Sequence, residues 1–336
     1  MKSVVIKKPG ELVIEERALP EPGLGEVRVK IRYASICGSD VHIWHGHNPF
    51  ARYPRVIGHE FFGVIDKTGE SVATARLGER VAVDPVVSCG HCYPCSVGRP
   101  NVCSELQVIG VHRDGGFSEY ACVPAGNAYQ LPETIPDKLA SLIEPFTIAA
   151  NITAFVKPTP QDVALIYGAG PMGLTALQVL KGVYGVKRII VADRIDERLL
   201  MATDSGADVV LNNSQVALAE QLQGEKPTLI IDAACHPSIL PEAIALASPA
   251  ARIGLLGFSA DACTITQQSM TSKEISLFTS RLNSKRFPAV IDWMTHGKIA
   301  PEKLVTHYFP LAEVEQAMTL FEKDPHTCCK VILSME

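Results

Sequence analysis

Apolar and polar positions change their period near the middle of the chain. Over the first 145 residues the pattern is short and two-fold. Glu26-Val27-Arg28-Val29-Lys30-Ile31-Arg32 alternates polar and apolar side chains, and Val81-Ala82-Val83-Asp84 lies in a similar stretch. Such alternation puts one face of a strand in a core and the other in water. Glycine and proline recur roughly every 8–12 residues, as in a rolled-up β domain. Around Pro158-Thr159-Pro160 the texture changes. Strand-like runs over residues 163–167, 188–192, 209–211, 228–231 and 252–256 now alternate with helical patterns over 172–183, 195–205 and 239–247. That rhythm predicts parallel βαβ units and an α/β fold. After Ser280 two further helical patterns and a last strand over 330–333 have no place in the parallel sheet. They are expected to return to the first domain.

Composition narrows the function classes. The 336 residues suffice for two domains, and 47% hydrophobic against 20% charged residues can fill their cores. A formal net charge of -5, from 31 basic and 36 acidic residues, leaves no footprint for nucleic acid. The stretch 163–180 carries no charge, but Gly168, Gly170, Pro171 and Gly173 interrupt it, so it reads as strand, turn and helix rather than a membrane span. The apolar run near Met1 is too short for a secretory signal, so a cytoplasmic location is expected. Thiols stay reduced there, and ten cysteines then suggest metal or catalysis before disulfides.

Four of those cysteines, Cys89, Cys92, Cys95 and Cys103, stand at C-x2-C-x2-C-x7-C. Four thiolates in one loop can enclose a tetrahedral zinc ion with no position left for substrate, which makes such a site structural. Short C-x2-C runs also suit iron–sulfur clusters. Gly90, Pro94 and Gly98 supply the turns that wrap the loop.

Gly168-Ala169-Gly170-Pro171-Met172-Gly173 is a G-x-G-x-x-G sequence that follows an apolar strand and opens a helix, with Pro171 suited to the first helical turn. Gly168 permits the tight turn, Gly170 the approach of a pyrophosphate, and Gly173 close helix–strand packing. Asp193, 20 residues after Gly173, is placed to accept hydrogen bonds from an adenosine ribose. A carboxylate there repels a 2′-phosphate and favours NAD, although the adjacent Arg194 is able to reach one. A Gly-rich turn with no ligand is the plain alternative.

Three separated segments remain: Cys37-Gly38-Ser39-Asp40-Val41-His42, Gly58-His59-Glu60 and Glu144-Pro145. A thiolate, an imidazole and one or two carboxylates make an open zinc site. Taken singly, a buried thiol, a satisfied core histidine and a charge near a helix start would explain each as well. Together, beside the cysteine loop and the glycine fingerprint, they point to chemistry.

With these motifs in this order, the chain resembles the zinc-dependent medium-chain dehydrogenases, the superfamily of alcohol, sorbitol and threonine dehydrogenases. Within it the chain looks most like the enteric "starvation-sensing" type and the L-gulonate 5-dehydrogenases. Gly46-His47-Asn48-Pro49-Phe50, Asp84-Pro85-Val86-Val87-Ser88 and Asp232-Ala233-Ala234-Cys235-His236 carry that closer match. The resemblance implies a GroES-like β-rich catalytic domain over residues 1–148 and 281–336, and a Rossmann NAD-binding domain over 149–280. It implies two zinc ions per chain. Cys37, His59, Glu60 and Glu144 would bind the catalytic ion, directly or through water. Asp40 would orient the histidine, and Ser39 with His42 would relay a proton. Glu144 stands where alcohol dehydrogenases usually have cysteine, which points to the polyol branch. Gly38 stands where they often have an arginine for pyrophosphate, so that contact must come from elsewhere.

The activity so implied is oxidation of a secondary alcohol of a sugar acid with NAD, L-gulonate at C5 to D-fructuronate being the specific expectation. Polyol or L-threonine 3-dehydrogenase activity and an NADH-binding sensing role are the alternatives. A sugar acid needs a cation; Arg52, Arg113, Arg281, His47 and His112 are candidates, with Arg113 first. Cys122, Cys235, Cys263, Cys328 and Cys329 have no ligand spacing. The partners expected are a small molecule and further copies of the chain, as a homodimer or homotetramer, with 275–278 apolar enough for an edge pairing.

Overall fold

A computed structural model describes residues 1–335. The chain divides into two compact units, Met1–Glu144 with the chain from Val305 onward, and Pro145–Leu304. In the first unit the alternating segment forms β1 (Glu26–Ser35), with Val27, Val29 and Ile31 buried. Arg28 breaks the alternation: it is buried too, its guanidinium held by Asp66 at 2.8–2.9 Å. A short helix α1 (Gly38–Trp44) follows, then β2 (Glu60–Thr68), β3 (Arg80–Val83), β4 (Tyr120–Pro124) and β5 (Ala128–Gln130). The division between the units falls in the first turn of α2 (Ile143–Val156).

The second unit starts with β6 (Val163–Tyr167), α3 (Pro171–Gly182), β7 (Arg188–Asp193), α4 (Asp196–Asp204) and β8 (Val209–Asn212). It continues through β9 (Leu229–Asp232), α5 (Ile239–Leu246), β10 (Arg252–Leu255), β11 (Ser276–Thr279) and α6 (Phe287–Thr295). All its strand pairs are parallel, in the order β8-β7-β6-β9-β10-β11. Counted from β6 this is 3-2-1-4-5-6, the doubly wound dinucleotide-binding arrangement. Leu165, Ile190, Ile230 and Ile253 of the four central strands are buried in its core, as continuous apolar runs require in a sheet covered on both faces. The uncharged stretch from Val163 is resolved into β6, a turn and α3. Among the described residues no helix is long and apolar enough to cross a membrane.

The chain then returns to the first unit with β12 (Val305–Pro310), α7 (Val314–Lys323) and β13 (Lys330–Ser334). The sheet there runs β5-β3-β2-β1-β13-β12, with β4 also paired to β1. Ile332, Leu333 and Ser334 lie opposite Ser35, Ala34 and Tyr33. The last strand therefore reaches the end of β1 that leads into Cys37. The expected return of the chain after residue 280 needs one correction. Residues 281–304, with α6, belong to the second unit, and only the part from Val305 comes back. The buried Phe287 and Val290 give α6 an apolar face to pack there.

Gly173 shows how tightly the first βα turn is built. A Cβ on it would lie 1.8 Å from the carbonyl oxygen of Gly168, while Gly168 itself has φ +91°. Gly173→Ala should therefore cost roughly 1–3 kcal/mol as the turn is forced apart. Thermal unfolding should show a transition several degrees lower, and an unchanged transition would refute the packing argument.

Candidate active site

The four-cysteine loop is already shaped around a point. Cys92 and Cys95 sulfurs are 3.5 Å apart, Cys92 and Cys103 3.7 Å, and Cys89 and Cys103 3.4 Å. With zinc–sulfur bonds of about 2.3 Å, the edge of a tetrahedron is about 3.8 Å. The sulfurs thus fit a single ion. An iron–sulfur cluster, whose thiolates are divided between two or four irons, would spread some of them farther. Backbone N–H groups of Ser104 and Glu105 donate to the sulfurs of Cys92 and Cys103 at 3.5 and 3.3 Å. The Ser104 and Cys95 amides pull the Cys92 thiol down to about 6, into the range where the thiolate needed for a metal prevails at neutral pH.

In the same unit, β1 delivers Cys37 and β2 begins directly after His59. Ligand atoms of Cys37, His59 and Glu60 lie within 4.8 Å of one another. Asp40, fully buried in the first turn of α1, organises this corner. One of its carboxylate oxygens accepts from the Cys37 amide at 3.0 Å and the other from the Gly58 amide at 3.2 Å. The second oxygen also sits 3.5 Å from His59 Nδ1, a buried nitrogen with no hydrogen-bond partner. Nδ1 facing Asp40 leaves Nε2 for a metal, the orientation that a carboxylate behind a ligating histidine imposes. Burial opposes protonation of His59, but Asp40 and Cys37 outweigh it and hold its pKa well above that of free imidazole. A ring so surrounded by negative charge is stabilised equally well by a bound cation.

The two carboxylates expected beside the metal differ. Glu60, at the cluster, is also held from behind: Lys330 Nζ donates to its two oxygens at 2.6 and 2.5 Å, and Ser35 Oγ donates to it as well. Lys330 further donates to the Ile36 carbonyl at 3.0 Å. Glu144, in the first turn of α2, is 4% exposed, and burial pushes its pKa up to about 8, with His59 and Lys330 acting against the shift. Cys37, His59 and Glu60 make a donor set of thiolate, imidazole and carboxylate that fits zinc with a position left open, and Glu144 lies near enough to feel both His59 and Glu60. Ser39 is half-buried and His42, three residues on along α1, is exposed. The pair thus spans from the buried corner to solvent on one helix face.

Sequence reasoning missed Lys330 and Ser35. The available signal was a lysine opening an otherwise apolar final strand. Arg113, by contrast, is not brought to the cluster. Its guanidinium pairs with Glu26 at the start of β1. Cys328 and Cys329 are buried and Cys263 is exposed, none of them in a disulfide.

In the second unit, Gly168 follows β6 and Gly170 caps α3, with Pro171 and Met172 in its first turn. A Cβ at Gly170 would meet nothing closer than Arg198 Nη1 at 3.8 Å, an open cradle beside a cation. Backbone N–H groups at that helix start suit a phosphate. Asp193 is tied into the same turn. It accepts from Ala169 N at 2.7 Å, and from Arg194 N and Ile195 N at 2.7 and 3.0 Å.

Two measurements probe these centres. Cys92→Ser should lower the zinc content by one ion per chain, read by elemental analysis; full retention would exclude the cysteine loop as a metal site. Lys330→Met, which strands a buried carboxylate, should lower unfolding stability by roughly 3–5 kcal/mol. Adding Glu60→Gln should restore part of that loss in urea titrations, and strict additivity would show that the two groups do not act as a pair.

Comparison with known proteins bears on the whole chain. The family model for the alcohol dehydrogenase GroES-like domain matches residues 23–133, and that for zinc-binding dehydrogenases matches 171–296. The starvation-sensing protein RspB of Escherichia coli K12 is 64% identical over 336 residues, covering 99% of both chains. L-Galactonate-5-dehydrogenase of the same strain is 34% identical over 334 residues, covering 96% of this chain and 95% of its own. The crystal structure of the alcohol dehydrogenase RspB from E. coli CFT073, complexed with NADH, superposes with a TM-score of 0.98 at 64% identity, covering 100% of this chain and 99% of that one. With both units matched and the metal and glycine motifs in place, the chain belongs to the zinc-type medium-chain alcohol dehydrogenase family.

Proposed function

We propose that this dehydrogenase oxidises a secondary alcohol of a sugar acid with NAD, L-gulonate at C5 to D-fructuronate being the favoured reaction. The observation that carries the substrate class is the 34% identity, across nearly the whole chain, to an enzyme named for oxidising a hexonate at C5. A carboxylate at position 144 supports a polyol-like substrate. Cys37 and His59 hold the catalytic zinc, and Glu60 and Glu144 complete its shell, directly or through water, with Glu60 also paired to Lys330. Zinc bound there supplies Lewis acidity towards the substrate hydroxyl. Cys89, Cys92, Cys95 and Cys103 hold the structural ion.

Ser39 accepts the hydroxyl proton and His42 delivers it to solvent, which its exposure allows and for which an imidazole is suited. Asp40 keeps His59 turned with Nε2 outward. On the cofactor side, Gly168, Gly170 and Gly173 with Pro171 and Met172 shape the pyrophosphate cradle, and Arg198 stands over it in place of the arginine missing at Gly38. Asp193, at the end of β7, favours the ribose of NAD over a 2′-phosphate, with Arg194 exposed beside it. The protein acts as a homodimer or homotetramer on a small molecule in the cytoplasm.

NADH formation at 340 nm on L-gulonate, L-idonate, L-galactonate, D-mannonate, sorbitol and L-threonine, each with NAD and NADP, tests the reading. A hexonate turned over with NAD is expected. Activity on sorbitol or threonine alone would remove the sugar-acid assignment and keep the chemistry. Silence across the panel in zinc-loaded protein that binds NADH would favour a sensing role. His42→Ala should slow turnover chiefly at low pH while leaving NADH affinity unchanged, and an unaltered pH–rate profile would eliminate the relay.

A further inference from the structure

Arg113 lines a cavity of about 370 Å³ that shares no residue with the Cys37–His59–Glu60 cluster. Arg17, Arg55 and Arg113 line it, and Asp114 is the only carboxylate among the lining residues. Asp114 is divided between two of them, and Arg17 Nε also lies 3.8 Å from Glu15. One oxygen accepts from Arg17 Nη1 at 2.9 Å, and the other from Arg55 Nη1 at 2.9 Å and the Val56 amide at 3.2 Å. Arg113 turns one nitrogen to Glu26 outside the cavity.

Three guanidinium groups bring fifteen donors to one wall region, at five each, so a shared carboxylate leaves most of them without a charged acceptor. One is conspicuous: Arg55 Nε is buried and has no hydrogen-bond partner. A buried donor left unmet costs about 1–3 kcal/mol, which an incoming acceptor would recover. Fixed forks of this kind match the oxygens of carboxylates and phosphates, two N–H groups to two oxygens. The volume lies within the range of small-molecule pockets and exceeds what a single inorganic ion fills.

We propose that this cavity is an anion-binding site for a small dianionic metabolite, a dicarboxylate or a phosphate ester, held by Arg17, Arg55 and Arg113. The site is independent of the dehydrogenase reading, because none of its residues holds metal, cofactor or substrate in that scheme. The ligand's oxygens meet Arg55 Nε and the outward donors of Arg17 and Arg113, while Asp114 with Glu15 and Glu26 keeps the three cations from repelling one another when the site is empty. Cys122, which also lines the cavity, is a bystander: burial pushes its thiol up to about 11, so it stays protonated.

The test uses the zinc-loaded full chain, with inorganic phosphate and succinate as probes and sodium chloride at matched ionic strength as control. Thermal shift and isothermal titration should show saturable binding of at least one probe, with a Tm rise of several degrees that chloride does not reproduce. Phosphate preferred identifies a phosphate ester as the ligand class, and succinate preferred identifies a dicarboxylate. Arg17→Gln, at a half-exposed position, should weaken binding at least tenfold with NADH binding intact; Arg55→Gln should abolish it. If Arg55→Gln fails to fold, Arg113→Gln replaces it. A shift equal to that of chloride, or one that survives Arg17→Gln and Arg113→Gln unchanged, would overturn the proposal.

Discussion

The buried pairing of Lys330 with Glu60 is the interaction on which the first unit depends. Both side chains are 1% exposed, and they come from residues 270 positions apart. A lysine ammonium out of water is tolerable only with a carboxylate against it, and the converse holds for Glu60. Burial of such a pair contributes little net stability, but it makes any other register of the last strand costly. One residue of slip in β13 would move Lys330 to the opposite face and leave Glu60 uncompensated. The pair therefore fixes where the returning chain lies, and with it the end of β1 from which Cys37 projects.

Asp40 applies the same economy to the metal corner. A single carboxylate with no exposed surface gathers the amides of Cys37 and Gly58 and faces His59 Nδ1. Two segments that are 18 residues apart are thereby held at one point before any metal arrives. The cysteine loop reaches a similar state by other means: amide donors aimed at sulfur favour the thiolate, and sulfur spacings near a tetrahedral edge leave an ion little reorganisation to impose.

The second unit is built on a steric rather than an electrostatic constraint. Gly168 in the left-handed region and Gly173 against its carbonyl bring α3 to the end of β6, so that its first amides face an open cradle at Gly170. Asp193 closes the turn from the neighbouring strand with its carboxylate on Ala169 N. The same residue thus shapes the loop and stands where a ribose would be read.

Local pattern was enough for much of this. Five of the six parallel strands, the glycine turn and the four-cysteine spacing are written in runs of a few residues, where periodicity and ligand spacing follow directly from backbone geometry. The observed element boundaries lie within a residue or two of those expected, except that β1 extends to Ser35. Cys37, His59 and Asp40 were legible as types, and their convergence followed from resemblance. What the sequence by itself did not determine depends on long-range neighbours. Glu60 was legible as a metal ligand, but its pairing with Lys330 and Ser35 was not. Arg113 looked like a substrate cation until the fold set it beside Glu26 and Asp114. The helix over Phe287–Thr295 stayed with the second unit because its buried face found a core there. A charge is readable in one dimension, but its partner is chosen only when the strands are in register, and the partner decides what the charge is for.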